Sequence, residues 1–141
     1  MRILGVDFGL KRVGLAICDP GEALATAYGT LTREGREQCF DEIRQIVDKE
    51  GVGAVAVGLP LALDGGETLT TRQARNFAES LGRRLDVPVH MVDERLTSAA
   101  AEHDLKEAGL CPKKRKQVLD SQAAVHILET FLNRRSGEPD G

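Results

Sequence analysis

Three carboxylates carry the chemistry open to this sequence: Asp7, Glu94 and Asp120. Asp7 ends an apolar run, Arg2 to Val6, that Phe8-Gly9 closes. A short run apolar on both faces reads as a central strand covered on both sides. Alternation sets Ile3, Gly5 and Asp7 on one face, with Leu4, Val6 and Phe8 on the other. A carboxylate there is expensive unless something positive meets it. Glu94 follows another strand, Val87 to Val92, whose Pro88 suits a strand beginning or an edge, within Asp93-Glu94-Arg95. Asp120 shares the spacing i, i+4, i+7, i+11 with Ala124, Ile127 and Phe131, a single helical face. Each acid alone has an ordinary explanation: a turn residue, a solvated loop, a first-turn acid welcomed by the helix dipole. Converging, they would repel one another, and such clusters are normally held by divalent cations. Oxygen ligands without His or Cys select Mg²⁺ or Mn²⁺. Two such ions suit in-line attack of water on a phosphodiester.

The elements that must position these acids alternate along the chain. Val13 to Ile17 reads as a second strand, Asp19-Pro20-Gly21 as a turn, and Ala23 to Leu31 as a third strand weakened by Gly29. Thr32 reads as the N-cap of a helix carrying Phe40, Ile43 and Val47, with Gly51 as its stop. Gly53 to Leu59 is a buried strand ending in Pro60 and a glycine-rich loop, Leu61 to Glu67. A helix from about Thr70 bears the stripe Ala74, Phe77, Ala78, Leu81 and Leu85. After the strand Val87 to Val92, Thr97 or Ser98 caps a helix that stops at Gly109. Cys111 to Lys116 reads as a basic loop, and the last helix runs from about Gln117 to Asn133. The order β-β-β-α-β-α-β-α-α predicts an α/β fold. Its mixed five-stranded sheet is an antiparallel meander followed by parallel strands, with helices on both faces. Parallel strands carry their sites at their carboxyl ends. Residues 1–135 form one expected domain and 136–141 a disordered tail.

Composition narrows the partners. Of 141 residues 29% are charged and 41% hydrophobic, ordinary for a globular domain. Aromatics are 4% with no Trp, so nucleic-acid contact would lean on charge more than on stacked rings. The net charge of −3 turns attention to local clusters. Lys11 and Arg12, Arg95, and Lys113, Lys114, Arg115 and Lys116 could surround the acids and neutralise a phosphate backbone without reading sequence. Cys18, Cys39 and Cys111 form no C-x-x-C and read as reduced thiols. His90, His103 and His126 lack zinc-ligand spacing. No apolar run suits a bilayer or a signal peptide, so a cytoplasmic protein with no membrane partner is expected.

Four segments together carry a resemblance: Asp7-Phe-Gly-Leu-Lys-Arg-Val-Gly14, Val57-Gly-Leu-Pro-Leu61 with Asp64-Gly65 behind it, Asp93-Glu-Arg-Leu-Thr-Ser98, and Asp120-Ser-Gln-Ala-Ala124. In order and spacing they resemble the YqgF/RuvX family of bacterial ribonuclease H-like proteins. These are described as pre-16S rRNA processing nucleases and as Holliday-junction resolvases. The resemblance covers nearly the whole chain. It implies a ribonuclease H-like fold and a Mg²⁺- or Mn²⁺-dependent nuclease acting as monomer or homodimer. The expected substrate is structured or single-stranded RNA at the 5′ end of a ribosomal RNA precursor, with branched DNA as the alternative. Asp7, Glu94 and Asp120 match the family's acidic triad. RuvC resolvases carry a further acid about one helical turn beyond the last; here Ala123 and Ala124 follow Asp120. Two rivals remain. Asp-x-Gly also resembles the phosphate loop of sugar kinases, which need two such domains, and a non-catalytic RNA-binding module could keep the acids for structure.

Overall fold

A computed structural model of the chain describes residues 1–9, 11–60, 66–93 and 112–137; at 36, 112–120 and 135–137 the description is confined to the backbone. The described residues form five strands, β1 (Arg2–Phe8), β2 (Arg12–Cys18), β3 (Ala25–Thr32), β4 (Val52–Leu59) and β5 (Val89–Asp93). They also form helices α1 (Arg36–Glu50), α2 (Leu69–Arg84) and α3 (Pro112–Gly137). The sheet order is β3-β2-β1-β4-β5. β1–β2 and β2–β3 pair antiparallel, β1–β4 and β4–β5 parallel. This is the mixed sheet expected from the pattern, and β1 is central as its two apolar faces require.

Each face of β1 meets a different layer. Leu4, Val6 and Phe8 join Phe40, Ile43 and Val47 of α1 and Ala74, Phe77 and Leu81 of α2. Ile3 joins Ala124, Ile127, Leu128 and Phe131 of α3, with Ala54 and Ala56 of β4. Helices therefore cover both faces, α1 and α2 on one and α3 on the other. α3 lies across β1, β2 and β3. Gly5 sets how closely: a Cβ there would stand 2.8 Å from the Ala124 carbonyl oxygen and 2.9 Å from Leu128 Cβ.

Three boundaries differ from the sequence reading. Thr32 does not cap α1; it pairs with Arg12 as the last residue of β3, and Gly35 is the N-cap. There the Gln38 side chain accepts from the Glu34 and Gly35 amides, at 3.2 and 3.3 Å. The ladder hydrogen bonds of a paired strand thus outweigh a local capping preference. Residues 112–116, read as a basic loop, are the start of α3. Pro112 occupies the first helical position, where its fixed φ and missing N–H do no harm, and Lys and Arg are good helix formers. The same helix continues through Ser136 and Gly137, into the segment expected to be tail. The anticipated helix from Thr97 or Ser98 to Gly109 lies outside the described residues, as do most of the loop 61–67 and the last four residues.

Other expectations hold. Gly51 ends α1 in the left-handed conformation at φ 66°. Asp19 makes the predicted turn: its Oδ1 accepts from the Leu24 and Ala23 amides at 2.7 and 2.8 Å. Those bonds hold its carboxyl below the usual range. In β3 the register shifts beside Gly29, leaving one extra residue opposite Leu15 and Ala16, a bulge on an edge strand. No helix among the described residues is long and apolar enough to cross a membrane.

The Gly5 contact gives a direct test. Gly5→Ala forces a methyl into the α3 backbone and is expected to lower stability by about 1–3 kcal/mol, the ordinary penalty of overpacking. Urea melts of the two proteins measure it.

Candidate active site

Asp7 is half-buried at the carboxyl end of β1, opposite Gly14 of β2. By alternation it shares the α3 face with Ile3 and Gly5. From the Gly5–Ala124 contact, Asp7 lies two residues further along β1, roughly 7 Å. Position 120 lies four residues back along α3, about 6 Å. Both steps run toward the same end of the sheet, because the carboxyl end of β1 and the amino-terminal part of α3 coincide there. Ala124 and Ile127 are fully buried and Phe131 is 8% exposed, so the face inferred for α3 is the one that meets the sheet.

β5 supplies the third direction. Val6 pairs with Val57 and Leu59 with Asp93, so the carboxyl ends of β1, β4 and β5 lie at one level. With strands about 4.8 Å apart, the ends of β1 and β5 are separated by roughly 10 Å across β4. Val92 packs on the α3 side, while Val89 and Met91 pack on the α1–α2 side. Glu94 and Arg95 lie just past Asp93, outside the described residues. Among the predicted basic residues, Lys11 is exposed in the β1–β2 turn and Arg12 opens β2. Lys113, Lys114, Arg115 and Lys116 fall in the first turns of α3. The structure therefore brings Asp7, position 120, Lys11 and Arg12 toward one end of the sheet.

One residue the sequence reading missed organises the turn after Asp7. The Arg33 guanidinium donates through Nη1 to the Gly9 carbonyl at 3.1 Å and stacks over the Phe8 ring at 4.8 Å. Its backbone amide donates to the Lys11 carbonyl at 2.9 Å. Arg33 thus fixes both flanks of the turn that carries Lys11. Nothing local to the motif signals a contact 24 residues away. A similar tie acts at the end of β4, where the buried Thr71 hydroxyl donates to the Pro60 carbonyl. Thr71 also accepts from the Thr68 amide at 3.0 Å, so α2 is capped and anchored at once. On the other side Ser121 of α3 donates to the Gly29 carbonyl at 3.1 Å and lies 3.2 Å from the Thr30 hydroxyl, holding α3 to β3.

Among the described residues the donor chemistry at this end is oxygen only. Of the described soft ligands, Cys18 meets the Ile3 amide at the far end of β1 and Cys39 sits in the α1 core. Burial pushes both thiols up, against the opposing pull of Arg33 on Cys39. His90 stacks on Phe131 with ring centres 5.1 Å apart, and His126 faces Glu129. A hard divalent cation such as Mg²⁺ or Mn²⁺ fits such a set. Among the described residues no three His, Cys, Asp or Glu side chains gather in one group; Glu94 lies outside them, and Asp120 is described by its backbone alone.

Comparison with known proteins shows the family and the fold. Residues 1–134 match the family described as "RuvX: Holliday junction resolvase". A protein of Maridesulfovibrio salexigens named "Putative pre-16S rRNA nuclease" is 58% identical over 134 residues, covering 95% of this chain and 99% of its own. A relative of the same name from Nitratidesulfovibrio vulgaris is 46% identical and covers 94% of each. Among solved structures, Thermus thermophilus RuvC in complex with a Holliday junction substrate superposes with a TM-score of 0.61 over 97% of both chains. At 15% identity that likeness speaks for the fold, a ribonuclease H-like one.

Arg33 supplies the measurable consequence. Arg33→Ala removes a charge-assisted bond to Gly9 and is expected to lower stability by about 1.5–3 kcal/mol. Arg33→Lys keeps a donor but not the stacked plane, and should recover part of the loss. Chemical denaturation of the three proteins tests the order.

Proposed function

The chain belongs to the RuvX family, and from that membership we propose that it is a metal-dependent nuclease whose substrate is a ribosomal RNA precursor. The names of its relatives support that reading, and the fold shared with a junction-binding resolvase supports nucleic acid as the partner. The observation that carries the site is the convergence of Asp7 and position 120 through the Gly5–Ala124 contact. Glu94 is proposed as the third member because it follows Asp93, the last residue of β5, in the sequence motif. Asp7, Glu94 and Asp120 are proposed as both metal ligands and catalytic residues.

Mg²⁺ or Mn²⁺ held there would supply an activated water and charge neutralisation at the phosphoryl group. The chain's own part is to place its carboxylates on rigid elements. Asp7 rides on the central strand and Asp120 on a helix packed to backbone distance against it. Lys11 and Arg12 stand at the mouth of the same end, placed to meet phosphates on either side of the scissile bond. Lys113 to Lys116 crowd positive charge at a helix N-terminus, where the dipole disfavours it. An anionic backbone lying there would relieve that conflict, which favours phosphate binding over a merely solvated face. An enzyme of this kind would work in the cytoplasm, as monomer or homodimer. Branched DNA is the second reading, favoured by the family's description and by the resolvase fold.

Two outcomes test the proposal. Cleavage of a ribosomal RNA precursor should need Mg²⁺ or Mn²⁺ and stop with EDTA; Asp7→Asn should abolish it. In EDTA the Asn variant should be as stable as wild type or more so, by about 0.5–2 kcal/mol, since one of several crowded charges is gone. Mg²⁺ should narrow or reverse that ranking, through binding the variant largely lacks. Thermal melts with EDTA and then Mg²⁺ measure both, and a clear loss of stability in EDTA would assign Asp7 a structural role. Separately, replacing Lys113, Lys114, Arg115 and Lys116 by Ala should weaken RNA binding without sequence bias. The log K against log[salt] slope should flatten by roughly 0.7–0.9 for each lost contact.

A further inference from the structure

On the sheet face away from α3, a cavity of about 360 Å³ opens between α1 and α2 beside the end of β1. Its floor is aromatic: Phe77 packs 4.9 Å from Phe8 and 5.3 Å from Phe40, ring centre to ring centre. Its walls are polar. The Arg33 guanidinium, lying on the Phe8 ring, forms one side. Along α2 stand the amides of Gln73 and Asn76, the Glu79 carboxylate, and Arg83. Arg83 Nη2 donates to the Ser80 hydroxyl at 3.3 Å, and Ser80 is 1% exposed, so this arginine is held over the cavity by a buried partner.

We propose that this cavity binds a nucleoside monophosphate unit. Its volume lies at the small end of the roughly 300–1,000 Å³ range of small-ligand pockets. Arg83, held in place by the Ser80 hydroxyl, suits a phosphate. Arg33, planar and backed by a ring, offers the kind of platform on which nucleobases stack. The Gln73 and Asn76 amides can pair with a base edge, and Glu79 can accept from an exocyclic amino group. Phe8 and Asp7 are adjacent in β1 but face opposite ways, so this cavity and the proposed active site stand back to back across one strand end. The choice of ligand rests partly on the nuclease reading, whose substrate and products are chains of such units. The unit can come from two sources, a free nucleotide or one residue of a bound strand.

Calorimetric titration in EDTA tests the proposal with the full chain. The probes are AMP, GMP, CMP and UMP, inorganic phosphate, and a single-stranded RNA tetramer. At least one mononucleotide should bind more tightly than phosphate. Arg83→Ala and Asn76→Ala, both at exposed positions of α2, should each weaken it by roughly tenfold, about what one good hydrogen-bonded contact contributes. Asp7→Asn should leave it unchanged. A tetramer bound more tightly than any monomer, with the same sensitivity to Arg83→Ala, assigns the site to a strand; equal affinities assign it to the free nucleotide. Absence of mononucleotide binding at millimolar concentration overturns the proposal, and so does binding indifferent to both α2 variants. Nucleotide binding by a wild-type protein that cleaves nothing would remove the nuclease reading and leave this site standing.

Discussion

The close approach of β1 to α3 at Gly5 is the constraint on which the site depends. With less than 3 Å between an added methyl and the helix backbone, glycine is the residue that lets strand and helix meet at this depth. Ala124 and Leu128 of α3 lie over Gly5, and Ala54 and Ala56 keep the sheet surface low on neighbouring β4. Small residues on both surfaces bring the backbones together. Backbones are stiffer than side chains, so the register between Asp7 and position 120 is set by rigid parts. A site built on elements in direct contact holds its geometry better than one carried on loops.

The same packing bears on how many acids the site can hold. RuvC resolvases carry a further acid about one turn past the last, and the corresponding stretch here is Ala123-Ala124. Ala123 is 4% exposed and Ala124 fully buried. A carboxylate at either place would leave water. The departure accords with the burial of Ala123 and Ala124, and it leaves the proposed set at three acids.

Periodicity made much of the fold legible. Runs apolar on both faces identified β1 and β4 as central, and the stripe Ala124, Ile127, Phe131 identified the sheet-facing side of α3 before any contact was known. What stayed hidden has physical causes. Thr32 has a good capping side chain, but partnership with Arg12 in the ladder outweighed it. Lys113 to Lys116 read as a basic loop, whereas Pro112 suits a first helical position and Lys and Arg extend the helix from it. Arg33 escaped notice because its partners, Gly9, Phe8 and Lys11, come from a distant part of the chain. Residues that act through the tertiary fold carry no periodic signature.

β1 divides the labour of the molecule by parity. Its odd positions, Ile3, Gly5 and Asp7, face α3, where packing is tight and small residues dominate. Its even positions, Leu4, Val6 and Phe8, face α1 and α2, where large rings leave a cavity at the strand end. Two consecutive residues thus face the two proposed sites, and Arg33 touches the turn beside them by binding Gly9 and stacking on Phe8. A ligand pressing on Arg33 from the α1–α2 side acts on the same turn that positions Lys11, two residues past Gly9. This turn therefore joins the cavity wall to the end of β1 that bears Asp7, because Arg33 touches both Phe8 and Gly9.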